Sequence, residues 1–343
     1  MAIKISEPVY ILSSSSVVGM EEASGPLGQH FEMCENKDDT FGCDTWEKAE
    51  NEMQRIALGM ALSKVGLRDS DMDILFAGDL LNQCIGSNYG LLSYDIPYIG
   101  LYGACSTAAE GLMLSSLMCG GGNAKRCAST ASSHNASSER QFRSPLEYGG
   151  QRSPTAQWTV TGAAAFTVTS DKKDFDFLRK KQRFVPRVTA VSPGRSLDSG
   201  VNDISNMGAA MAPAAADTIL RFFEETAQSP SDFDLILTGD LGYEGTVILR
   251  DLMKTQGQDI DACHNDCGLL IYDRERQDKH AGGSGCGCSA VVLSSYILKK
   301  LHRGEYGKML FVGTGALMSP MSLQQGLSIP GIAHLVQIEG EIL

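Results

Sequence analysis

The chain has 343 residues, enough at roughly 100–200 residues per domain for two units or one large α/β body. It is 43% hydrophobic and 20% charged, which is the composition of a globular protein and excludes a disordered one. Twenty-nine basic against 41 acidic residues give a formal charge of −12, so nucleic acid is not an expected partner.

The N-terminus reads as no secretory signal: Lys4 is followed by a broken apolar stretch, then Ser13–Ser16, then Glu21 and Glu22. Asp44-Thr45-Trp46-Glu47 has capping-box spacing, and Met53, Ile56, Ala57, Met60 and Ala61 follow on one helical face. A buried-strand pattern, Ile74–Ala77, then ends at Gly78-Asp79-Leu80. The unit returns later as a helix around Ala215, Ile219, Phe222 and Phe223, followed by Leu235–Thr238 and Gly239-Asp240-Leu241. A second echo pairs Cys105–Ser116 with Gly285–Ser295, each entering a helix that leads through a glycine turn to a strand, Arg126–Thr130 and Met309–Val312. Two echoes in the same order imply a duplicated α/β body of two β-α-β-α-β halves, residues 1–175 and 176–343. Near their joint, Asp171–Arg187 holds Lys172, Lys173, Arg179, Lys180, Lys181, Arg183 and Arg187. This segment is a solvated linker or a contact for anionic lipid or an acidic partner. No run approaches the ~20 apolar residues of a membrane helix.

Cys105, in Gly103-Ala104-Cys105-Ser106-Thr107, enters a helix, where the dipole would lower its pKa and where an anion could equally sit. His134 and Asn135 follow the strand ending near Thr130, and Arg140, Arg143, Glu147 and Arg152 come soon after, a set able to receive carboxylates. His264 and Asp266 precede another strand-like run, Gly268–Ile271. Cys263, Cys267, Cys286 and Cys288 match no common zinc spacing, so no metal site is expected. No P-loop or dinucleotide fingerprint is present.

At these residues the chain resembles the thiolase and ketosynthase superfamily, which implies a layered α-β-α-β-α body. Within it, Ala77–Gln83, Gly103–Thr107, Ser132–Ala136, Glu139–Arg143, Glu147–Gln151, Met211–Thr218, His264–Gly268, Gly282–Cys286 and Ser328–Pro330 resemble the stage V sporulation protein AD family of spore-forming Firmicutes. That resemblance implies a non-catalytic binder of dipicolinic acid, free or as its calcium chelate, acting in uptake into developing spores and release at germination. It also implies membrane-embedded partner subunits, a peripheral place at the inner spore membrane, and a homodimer. No other cofactor is implied. The ligand-binding candidates are Cys105, Ser106, His134, Asn135, Arg140, Arg143, His264 and Asp266, with Asp79 and Asp240 as calcium contacts or turn acceptors. The alternative is an active acyltransferase with Cys105 as nucleophile and His264 as base. Condensing enzymes need His/His or His/Asn partners beside the cysteine. Here Gly239 and Gly283 stand where those side chains are expected.

Overall fold

A computed structural model describes residues 1–142, 152–181 and 183–342. Ten strands carry the architecture. The first five are β1 (Tyr10–Val18), β2 (Ile74–Gly78), β3 (Tyr98–Gly100), β4 (Arg126–Ser133) and β5 (Gly162–Thr169). The second five are β6 (Val185–Ser192), β7 (Leu235–Thr238), β8 (His264–Asp266), β9 (Lys308–Ala316) and β10 (Gly331–Glu341).

Their spatial order from one edge is β8-β7-β9-β10-β6-β1-β5-β4-β2-β3. Counted from its own outer edge, each half therefore runs third, second, fourth, fifth, first. The directions repeat as well. β2 is parallel to β3 and β4, and β5 is antiparallel to β4 and β1. Likewise β7 is parallel to β8 and β9, and β10 is antiparallel to β9 and β6. This repeated order is the duplication expected from the two sequence echoes. The halves meet through β1 and β6 at the pair Tyr10–Arg187. The expected boundary at 175/176 falls inside a helix, Lys172–Lys181, and the second set of strands begins at Val185.

Seven helices cover or fill this frame: α1 (Trp46–Lys64), α2 (Thr107–Gly120), α3 (Asn135–Phe142), α4 (Lys172–Lys181), α5 (Met207–Thr226), α6 (Gly242–Thr255) and α7 (Cys286–Val292). Thr45, not Asp44, caps α1 by accepting from the Lys48 amide, while Asp44 pairs with the Lys48 ammonium at 3.1 Å. Met53, Ala57 and Ala61 are fully buried and share a core with Val17, Leu75 and Ala163 of the first-half strands. α5 opens on the Asn206 side-chain cap and buries Ile219 and Phe222 completely against the second half.

α2 differs in kind. Its buried residues, Thr107, Ala108, Ala109, Gly111, Leu112, Met113, Ser115, Ser116 and Cys119, wrap more than half of its circumference and none of its residues is exposed, as expected for a helix inside the protein. It packs on β4 and β2 of its own half and on β9 and β10 of the other. α7 packs on β4 and β5 in the same exchanged manner, so the two central helices lock the halves together.

Two local expectations are corrected. The run Gly268–Ile271 is not a strand: β8 ends at Asp266 and a helical turn, Cys267–Leu270, follows. Four apolar residues do not distinguish strand from helix by periodicity. Beyond α7 the chain widens into a π-turn, Leu293–Ile297, before resuming as helix Leu298–Arg303. There the Ser294 and Ser295 hydroxyls both donate back to the Val291 carbonyl, at 3.2 and 2.6 Å, the kind of side-chain competition that bends helices.

Candidate functional site

The parallel strands β2 and β7 end in the same string, Gly-Asp-Leu, and carboxyl ends of strands are where α/β sheets place ligands. Asp79 turns inward after β2. Its oxygens accept from the Leu81 amide at 2.9 Å and from the Ser87 amide and hydroxyl at 2.7 Å each. Asp240 turns inward after β7 and accepts from the Gly285 amide and the Thr314 hydroxyl, both at 2.8 Å. Asp79 thus acts as a turn acceptor, whereas Asp240 ties together segments distant in the chain. Burial pushes Asp240 up to about 7.

Cys105 sits in the short turn Ala104–Ser106 that leads into α2, and its thiol hydrogen-bonds the Asp240 carboxyl. The helix entry alone would lower its pKa. Here burial comes first, the Asp240 charge second, and together they hold the thiol well above its ordinary range. A neutral thiol beside a carboxyl group is a poor nucleophile.

Gly239 and Gly283 are both tightly surrounded. A Cβ on Gly239 would lie 3.0 Å from the Thr314 amide nitrogen, and one on Gly283 would lie 2.7 Å from the Ile271 Cγ2. Neither position can accept a larger side chain without moving its neighbours.

Cys105 opens onto a cavity of about 320 Å³, within the range for a small organic ligand. The first half contributes Asp79, Tyr102, Ala104 and Thr159, with Ser138, Glu139 and Phe142 from α3. The second half contributes Met207, Ser284 and the segment 316–319, with Ser322. The Ser138 hydroxyl is buried and has no hydrogen-bond partner among the described residues. Among the described residues, no Arg, Lys or His lines this space.

Of the residues singled out in the sequence, Cys105 and Asp79 line the cavity, and Arg143 lies outside the described residues, as does the segment Glu147–Gln151. The structure does not bring the others to it. The Ser106 hydroxyl donates to the Gly103 carbonyl at 2.6 Å. His134 is fully buried, with Nε2 donating to the Asp39 carbonyl at 2.7 Å and Nδ1 accepting from the Ala136 amide at 3.2 Å; burial lowers its pKa. The Asn135 amide group donates to the Thr159 carbonyl at 3.2 Å. Arg140 points from the opposite face of α3, pairing with Glu47 over the Trp46 ring. His264 lies between Thr238, at 3.0 Å, and Arg250, at 3.3 Å. Burial and the Arg250 charge lower its pKa to about 3, so it stays neutral. Asp266 accepts from Thr238 and from the Leu241 and Gly242 amides, which fixes the entry to α6. No group of three or more His, Cys, Asp or Glu side chains suited to a metal occurs among the described residues.

The sequence profile of the stage V sporulation protein AD family matches residues 1–339. The chain belongs to that family. It is 43% identical over 334 residues to stage V sporulation protein AD of Bacillus subtilis (strain 168), covering 97% of this chain and 94% of that one. Membership places it among sporulation proteins. Among solved structures it is similar to OleA of Xanthomonas campestris bound to cerulenin, with TM-score 0.60 and 14% identity, covering 97% of each chain. It is also similar to AbyA1, a tetronic acid condensing enzyme, with TM-score 0.57 and 15% identity over 97% of this chain and 100% of that one. At such identities the likeness establishes the thiolase-like fold and nothing about activity.

Among the described residues, no helix of this family member is long and apolar enough to cross a membrane. Ser138, Glu139, Phe142, Thr159 and Ser284 are the cavity residues that sequence reasoning missed. The helical spacing of Ser138 and Phe142 was the available signal.

Proposed function

We propose that the cavity beside Cys105 binds dipicolinic acid, free or as its calcium chelate, without covalent chemistry. The observation that carries this reading is a preserved cavity with an unpartnered Ser138 hydroxyl, next to a cysteine that burial and Asp240 keep protonated. A buried hydroxyl left without a partner is disfavoured by about 1–3 kcal/mol, and a carboxylate oxygen of the ligand would satisfy it. Ser284, Ser319 and Ser322 add hydroxyls around largely apolar walls suited to a flat ring.

Uptake and release of that ligand with membrane-embedded partners, at the inner spore membrane, belong to the same reading and are supported by the family resemblance. Homodimer formation is supported by the outer edge at β3, where Ile99 and Tyr102 are 46% and 59% exposed.

Calorimetric titration of the full chain with dipicolinate, with and without calcium, tests the placement. Ser138→Ala is expected to weaken binding roughly 10- to 150-fold, the worth of one hydrogen bond to a charged group. Ser138→Phe, which fills the cavity, is expected to abolish it. Undiminished affinity in both variants would remove the ligand from this cavity.

A further inference from the structure

A second cavity of about 220 Å³ lies at the joint between the halves. Its wall is built from Ser13 and Ser14 of β1, Lys64 at the end of α1, Ser294 of the π-turn, and Lys299 and His302 of the following helix. Two departures from regular backbone meet here. β1 slips register against β5 between Ile11 and Ser13, and the helix facing it widens at Leu293–Ile297. Bulges and π-turns re-aim side chains and recur beside functional sites.

The charge around this cavity is opposite to that of the whole chain. Lys64 reaches the Ser14 carbonyl and Glu32, and the Lys299 ammonium donates to the His30 carbonyl at 2.8 Å. Lys300 and Arg303, on the same helix as Lys299, share Glu305. Four cations are thus set against two carboxylates, Glu32 and Glu305, in a chain of net charge −12. Burial lowers the pKa of Lys299, and the Lys64 and Arg303 charges lower it further, although Glu32 partly offsets this. His302 is also pushed down by burial and then by Lys64; its Nδ1 donates to the Phe184 carbonyl at 3.1 Å, so the neutral ring leaves Nε2 as an acceptor.

The surroundings extend the same character outward. Phe177 of α4 lines the cavity, and Lys172, Lys173, Arg179 and Lys180 on that helix are exposed. α4 is fixed in place by Leu178, which is fully buried, by Phe175 against the Tyr10 ring, and by Asp174 paired to Arg126 at 2.8 Å. The basic stretch seen in the sequence is therefore an anchored helix with a charged outer face rather than a loose linker.

We propose that the cavity between Lys64 and Lys299 is a phosphate-binding site, taking inorganic phosphate or the phosphate of an anionic lipid headgroup. Lysine ammoniums act as point charges and suit phosphate, whereas planar carboxylates are better met by an arginine fork. A phosphate here would neutralise the excess charge of Lys64, Lys299 and their neighbours.

The test is calorimetric titration of the full chain with sodium phosphate against sodium chloride at matched ionic strength, with Lys299→Gln and Lys64→Gln alongside. Lys64 is exposed at its end, so its replacement leaves the fold intact even if Lys299→Gln does not fold. Saturable heat that weakens at least tenfold in either variant is the expected result. Sedimentation with phosphatidylglycerol vesicles, against phosphatidylcholine vesicles, separates the sources. Capture on the anionic vesicles that the variants lose identifies the headgroup, and phosphate binding without vesicle capture identifies the free ion. Phosphate heat and vesicle capture that are absent, or that neither substitution changes, would overturn the proposal.

Discussion

Asp240→Asn perturbs the group that faces Cys105, and its effect follows from the pKa of that group. Burial raises Asp240 from an ordinary 3.8 to about 7 in the folded chain. Between those two values the native state holds a proton that the unfolded chain has released. Stability therefore falls as pH rises, by about 1.4 kcal/mol per unit while this group alone is considered. The contribution is fully present below pH 3.8 and is lost as pH passes through about 7. Over the whole interval it amounts to about 4 kcal/mol. Asparagine does not titrate. The difference in stability, variant minus wild type, should move in the variant's favour by roughly 3 kcal/mol between pH 4.5 and pH 8. Glu22 and Glu50 are also raised by burial, but they titrate in both proteins and cancel, whereas Asp266 interacts with the Asp240 charge and contributes a smaller difference of its own. Any pH-independent loss from the altered hydrogen bonds to Gly285 and Thr314 cancels as well. The assay is urea unfolding followed by tryptophan fluorescence, at one protein concentration and several pH values. Parallel stability–pH curves for the two proteins would refute the reasoning.

Three further outcomes are expected. Cys105 should alkylate with iodoacetamide at least about tenfold more slowly at pH 8 than a free thiol, since one unit of raised pKa removes that much thiolate; peptide mass spectrometry of a fast-reacting Cys105 would contradict this. Leu112→Ala, in the fully buried stretch of α2, should destabilise the chain by about 2–5 kcal/mol in urea unfolding; a loss below ~1 kcal/mol would mean that α2 does not hold the halves together. Ile99→Lys on the open β3 edge should convert a homodimer to a monomer in light scattering, with unchanged circular dichroism; an unchanged mass would place the dimer contact elsewhere.

The fold was legible wherever apolar runs had a definite length and a repeat. Ile74–Gly78 and Leu235–Thr238 stand where their patterns place them, and the shared Gly-Asp-Leu strings mark equivalent strand ends. The site was legible at Cys105 and less so around it. Arg140 and Ser138 are two residues apart on α3 and so face different ways; charge drew the reading to Arg140, while the hydroxyl faces the cavity. His134 and His264 are chemically suggestive, yet each has both ring nitrogens engaged away from the cavity, by Asp39 and Ala136 for one and by Thr238 and Arg250 for the other. The contact between Cys105 and Asp240 joins the two halves and has no local signature. Gly239 and Gly283, where the resemblance implies catalytic side chains, are closely packed, the first by the Thr314 amide and the second by the Ile271 side chain.

The measurement closest to the central claim pairs two ligands on one preparation of the full chain. Calcium dipicolinate is titrated calorimetrically, and a parallel sample is incubated with acetyl-coenzyme A and weighed by intact-protein mass spectrometry. The account predicts saturable dipicolinate heat and no acetyl addition on Cys105. An acetyl thioester on Cys105, with no heat from dipicolinate, would contradict it and establish an acyltransferase.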